Sequence, residues 1–210
     1  MLRNLLSLTV LLAFVLFGPA LATVGGEEEI EILGADPSGR SIYLIYQYYN
    51  EGPSMTELWH YSLPDRQLNK LTFRDEEENY SRDQLTNQLY KIKKHLRPLR
   101  PINPEQFPVV ITLLASKEDN TFNYPIPYWE YQLSYDQGKS HLRLKNYWVK
   151  DVTIKSYWQT ANGTSKLAIA RFTGLPEEGG YKVDQALFLP AVKKIVVYPQ
   201  KTREWFPVDP

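Results

Sequence analysis

From Ile30 to Tyr198 the chain is cut into strand-length segments by residues that turn a backbone, and this punctuation limits the fold more than any other feature. Asp36-Pro37-Ser38-Gly39, Asn50-Glu51-Gly52-Pro53-Ser54, Pro64-Asp65-Arg66-Gln67 and Asp136-Gln137-Gly138-Lys139 are turn sequences. Ala161-Asn162-Gly163-Thr164 holds Asn-Gly, the strongest short hairpin signal. Between the turns lie Ser41 to Tyr49, Glu57 to Leu63 and Leu68 to Thr72, all rich in apolar and aromatic residues. Phe107 to Ala115 reads as a strand of the buried type. Tyr128 to Tyr135, His141 to Trp148, Val152 to Gln159, Ser165 to Thr173, Tyr181 to Leu189 and Lys194 to Tyr198 complete the set. The 15 Tyr, 5 Trp and 8 Phe suit a pleated, half-buried surface, and 15 prolines argue for short elements.

One stretch escapes the pattern. Ser81-Arg82-Asp83-Gln84 is a capping box, Tyr80 and Leu85 suit a hydrophobic staple, and Leu85, Leu89, Ile92 and Leu96 form one apolar stripe. Pro98 stops the run, so an amphipathic helix is expected near 81–97. The expected fold class is α+β, mostly antiparallel hairpins or a sandwich-like sheet with this one helix. Pro98, Pro101, Pro104 and Pro108 form a stiff connector between a β-sheet-plus-helix part, 30–104, and an antiparallel β part, 105–210.

The chain begins with Met1-Leu2-Arg3-Asn4, an uncharged apolar run from Leu5 to Phe17, the break Gly18-Pro19, and the small residues of Ala20-Leu21-Ala22. This is the pattern of a secretory signal peptide over 1–22, too short for the ~18–20 apolar residues of a membrane span. Residues 23–29, ending in Glu27-Glu28-Glu29, read as a flexible acidic leader. The sequence has no cysteine, so no disulfide or lipid-bearing cysteine is available. Together these point to an exported chain, in the bacterial periplasm first, with no integral membrane segment after cleavage.

Residues 30–73 resemble a single blade of the TolB-type, WD40-like β-propeller family. The resemblance rests on Ala35-Asp36-Pro37-Ser38-Gly39-Arg40, the Tyr43–Tyr46 strand, Glu57-Leu58-Trp59-His60-Tyr61 and Gln67-Leu68-Asn69-Lys70-Leu71-Thr72. Ser38 stands where that family has Asp. The resemblance implies a fold element and no activity. A propeller needs four or more blades and the turn motif is not repeated, so a complete propeller is not expected. An isolated four-stranded sheet and ordinary hairpin chemistry both account for the pattern.

Charge is balanced at 24 basic and 24 acidic residues, which excludes a global field for nucleic acid. His60, His95 and His141 lack ligand spacing, and no cofactor or metal is expected. No G-x-S-x-G, S-x-x-K, H-E-x-x-H, P-loop or G-x-G-x-x-G occurs, so no catalytic residue is assigned. Tyr46, Tyr48, Trp59, Tyr128, Trp129 and Tyr131 are the candidates for an aromatic binding surface. Lys91, Lys94 and Arg97 are candidates for binding an anion, although a basic helix C-terminus also complements the helix dipole. The sequons Asn79-Tyr80-Ser81 and Asn162-Gly163-Thr164 have local structural explanations as a cap and a turn.

The expected role is therefore an exported, non-catalytic binding or assembly protein recognising a protein or glycan of the cell envelope. The alternative is a secreted glycoside hydrolase with a carboxylate pair drawn from Glu130, Asp136, Asp151 and Glu204.

Overall fold

A computed structural model describes residues 26–48, 55–74, 82–136, 138–175 and 180–198. The expected signal peptide lies outside these residues, as do Tyr80, Ser81, Asn79 and Glu204. The fold is α+β and mostly antiparallel, with one α-helix among the described residues and no closed propeller.

The first four strands form an antiparallel meander: β1 (Glu28–Ala35), β2 (Ser41–Tyr48), β3 (Met55–Ser62) and β4 (Gln67–Arg74). The turn before β2 closes as its sequence requires. The Asp36 carboxylate accepts from the Arg40 and Ser41 backbone N–H groups, and the Ser38 hydroxyl donates to it. The helix α1 (Arg82–His95) follows, then the two-residue β5 (Arg100–Pro101). The second half supplies β6 (Val110–Asp119), β7 (Ile126–Tyr135), β8 (Ser140–Tyr147), β9 (Thr153–Gln159), β10 (Lys166–Leu175), β11 (Tyr181–Leu189) and β12 (Lys194–Tyr198). The Asn162-Gly163 hairpin joins β9 to β10, with Gly163 at φ +71°.

These strands make two sheets. A nine-stranded sheet runs β12-β4-β3-β2-β1-β11-β10-β9-β5, and β6-β7-β8 form a separate three-stranded sheet. The large sheet thus draws strands from both sides of the proline-rich connector. The meander is continued at each edge, because β11 pairs with β1 and β12 with β4, both in parallel.

Side-chain alternation sets three larger cores, and a smaller fourth cluster of Ile126, Tyr128 and Tyr147 lies on the small sheet. Along β2, Ile42 and Leu44 face one side while Ile45 faces the other. On the second side Ile45, Leu58 and Leu71 pack beneath Ile92, Leu89 and Leu96 of the helical stretch, so α1 covers this face. On the first side Ile42, Leu44 and Tyr61 meet Leu167, Ile169 and Phe188. The Tyr61 and Phe188 rings stack at 4.4 Å between centroids. Their strands are three positions apart in the sheet, about 14 Å if flat. The large sheet is therefore strongly curled, with its two halves facing across this core. The third core lies between β10–β11 and the small sheet, where Ala168, Ala170 and Phe172 meet Phe107, Tyr131, Leu133 and Leu144. β10 is consequently buried on both faces.

Two departures from the expected pattern have physical causes. β1 begins at Glu28, so the end of the expected acidic leader is part of the sheet. Glu29 is held there by Arg171 at 2.6 Å and Lys155 at 3.4 Å. The expected buried strand from Phe107 begins only at Val110 and is mostly exposed, because β6 is an edge strand; Phe107 alone is fully buried.

The junction of β1 with β11 is the sparsest pairing in the large sheet that joins two long strands, with the single register pair Glu28↔Val183. Asp184 reinforces it. Its side chain is fully buried, accepts from the Ile30 backbone N–H at 3.3 Å, and pairs with Arg171 at 2.7 Å and Lys155 at 2.9 Å. Removing one member of a buried, hydrogen-bonded charge cluster costs about 3–5 kcal/mol. Asp184→Asn is expected to lose about 3 kcal/mol in urea unfolding, whereas Glu29→Gln, at a half-exposed position, should lose under about 1 kcal/mol. Equal losses in the two variants would show that Asp184 does not anchor the junction.

Candidate functional site

Three features of the described residues could meet a ligand or partner, and each follows from how the strands alternate. The first is a cluster on the concave face of the meander. The alternation that turns Ile30 inward also turns Glu28 inward, and Glu57, Trp59 and Lys70 share that face on β3 and β4. Tyr46 stacks on Trp59 at 5.0 Å and 7°. Lys70 Nζ lies 3.9 Å from the centroid of the Trp59 ring. The indole N–H donates to Glu57 at 2.6 Å. Burial holds the Glu28 carboxyl above its ordinary range, Glu57 adds to this, and Lys70 offsets part of it. The Lys70 ammonium is pulled below its usual range by burial, against Glu57 and Glu28.

The second is a cleft of about 310 Å³ beside that cluster, between β4 and β12 on one side and β8 and β11 on the other. Trp59, Leu68 and Lys70 form one wall, His141 and Gln185 the other, and Lys193 lies at an end. The wall is fixed by Tyr61, whose hydroxyl donates to the Pro190 carbonyl at 2.5 Å and whose pKa burial pushes up to about 12. The Arg66 guanidinium donates to the Ala191 carbonyl at 3.0 Å and pins the same loop.

The third is the edge strand β6. Val110, Ile111, Leu113 and Leu114 are 58%, 38%, 50% and 45% exposed. β6 pairs only with β7, so its other backbone edge meets no described strand. A bulge between Leu113 and Ala115 places Leu114 outside the regular alternation. Apolar side chains are therefore open on both faces of a strand whose outer edge meets no described partner.

No family model, curated protein or solved structure matches this chain.

The aromatic candidates fall in three places. Tyr46, Tyr48 and Trp59 lie on the concave face, but Trp59 is buried, with Tyr46 on one ring face and Lys70 on the other. Tyr128 is buried beside Tyr147 on the small sheet, with Lys145 Nζ 4.8 Å from its ring. Tyr131 is buried between the sheets, and the half-buried Trp129 packs against the same core. They do not form one exposed row. Lys91 and Lys94 are exposed on one side of α1, three residues apart. The Arg97 side chain is exposed, while its backbone is tied to Ala35 by bonds of 2.7 and 2.8 Å. Gly34 permits that approach, since a Cβ there would sit 2.6 Å from the Arg97 carbonyl oxygen.

Of the carboxylates named for hydrolysis, the three within the described residues each pair with a different lysine. Glu130 pairs with Lys117 at 3.0 Å, Asp136 with Lys139 at 2.9 Å, and Asp151 with Lys182 at 3.8 Å. Among the described residues no group of three or more His, Asp or Glu is placed to hold a metal ion. The Glu28–Glu57–Lys70 cluster is hidden in the sequence because Glu28 stands in a run of three acids. Extending the Ile30–Ile32 alternation back by one step would have turned it inward.

The raised Glu28 carboxyl makes stability depend on pH. Its folded pKa lies above the unfolded one, so its favourable contribution is complete below the unfolded pKa and is lost as pH rises through the folded value. Glu28→Gln should therefore raise the urea midpoint at pH 7. The gain should vanish below about pH 4, where the unfolded carboxyl is protonated too. A gain of the same size at both pH values would mean that ionisation of Glu28 is not its source.

Proposed function

We propose that this chain is an exported, non-catalytic binding or assembly protein of the cell envelope whose partner is a protein segment that adds as a strand to β6. One observation carries this reading. β6 offers a backbone edge that pairs with no strand among the described residues, together with exposed apolar side chains on both faces. Natural edge strands are ordinarily protected by charge, proline or cover. Here the charges begin at Lys117, and Val109 to Ser116 carries none. A peptide strand answers both needs at once, since its backbone supplies donors and acceptors while its side chains cover the apolar ones. A glycan offers no matching backbone, so the protein half of the expectation is favoured. Hydrolysis is disfavoured by the cleft, whose charged lining among the described residues is basic.

The test is a comparative pull-down from envelope extract with the parent chain and an Ile111→Glu, Leu113→Glu variant. Both positions are exposed, so the variant should keep its thermal melt. Partner recovered with the parent is expected to fall at least about tenfold, since two charges would have to be buried against a strand. Equal recovery by a folded variant would sink the β6 reading. Glycosidase turnover by the purified chain, with no partner recovered, would favour the hydrolase instead.

A further inference from the structure

The cleft beside Trp59 is amphipathic, and it is separate from the β6 edge. Leu68, Leu142, Phe188 and Val192 give it carbon walls, while its charged lining residues are Lys70 and Lys193. The strand register places these two apart. Lys70 pairs with Val197, whereas the backbone N–H of Lys193 donates to the carbonyl of Arg66, the turn residue just before β4 and four residues ahead of Lys70. Four residues of strand span about 13 Å, so the lysines mark opposite ends of a trough with an apolar middle.

Lys70 is the end prepared for an anion. Its ammonium is partly buried against the Trp59 ring, and no carboxylate lies within ion-pair distance of it among the described residues. Glu57 and Glu28 are near enough to act on it through space, but neither lines the cleft, and Glu57 accepts from the Trp59 indole. A partly desolvated cation held over an aromatic ring gains from an anionic partner that replaces lost water. The ring itself is not available for stacking, because Tyr46 covers its other face. Recognition must therefore come from the charge at Lys70 and the apolar wall beside it. A volume of about 310 Å³ lies at the small end of ligand sites, which run from roughly 300 to 1,000 Å³.

We infer that this cleft binds a small amphiphilic anion. Its carboxylate or phosphate head sits on Lys70, and a short apolar body lies over Leu68 towards Phe188 and Val192.

The purified chain is titrated calorimetrically with octanoate, octyl phosphate and octylamine, and the Trp59 indole N–H is followed by NMR. At least one anion is expected to bind and to move the Trp59 resonance, while octylamine does neither. Octanoate alone would assign a carboxylate head, and octyl phosphate alone a phosphate. Lys70→Met should weaken binding at least about tenfold, and Lys70→Arg, which keeps the charge, by no more than about threefold. The Arg variant also serves if the Met variant fails to fold. Failure of both anions to bind overturns the inference. So does octylamine binding as tightly, or a folded Lys70→Met chain that binds like the parent.

Discussion

The buried Asp184 carboxylate holds together a sheet that would otherwise be two. On one side of the β1–β11 junction lies the N-terminal meander, and on the other the hairpins of β9, β10 and β11. Parallel backbone pairing across the junction is minimal. Asp184 takes over part of the ladder's work by accepting from the Ile30 N–H, while Arg171 and Lys155 neutralise it and reach across to Glu29. Such a carboxylate is costly to bury, and only several charge-assisted hydrogen bonds make it tolerable. The Arg171 guanidinium is held still more firmly in its charged form by the bond to Asp184. Everything on the concave face depends on this seam, because the stacking of Tyr61 on Phe188 requires the two halves to remain at a fixed curl.

The aromatic content that suggests a binding surface is largely spent on that interior. Phe107 is enclosed by Tyr135 and Tyr157 in edge-to-face contacts, and Trp59 is held between Tyr46 and Lys70. A nine-stranded curled sheet with a small sheet on one side and a helix on another has much inner surface to fill. Large flat rings fill it efficiently, at about 150–250 Å² buried for each. Exposed aliphatic side chains gather instead on two edge strands, four on β6 and Ile195 and Val197 on β12, while Tyr90, Phe122, Tyr124 and Val149 are exposed elsewhere.

Local chemistry was legible in the sequence and long-range pairing was not. The Asn162-Gly163 hairpin, the Asp36 turn and the segments Tyr181–Leu189 and Lys194–Tyr198 stand where residue chemistry puts them, since each depends on neighbours in the chain. The helical stripe is likewise read correctly at Leu89, Ile92 and Leu96. Nothing local distinguishes Val110–Leu114 as an edge, because the same β-branched and aliphatic run would suit a covered strand. Nor does any local signal pair β12 with β4, or bring Glu29 to Arg171 across 142 residues. The concave cluster had a faint trace in the two-residue periodicity before Ile30, hidden by three consecutive glutamates.

The parallel pairing of the last strand with the fourth has a consequence for the order in which the chain can fold. The meander's concave face stays open until β10 and β11 exist to oppose it, and the outer edge of β4 stays open until β12 has been made. Contacts of such long sequence separation are slow to close and cannot form while the ribosome still holds the C-terminal third. The large sheet is therefore among the last parts of this chain to be completed, after the strands of the meander and the helix have already been made.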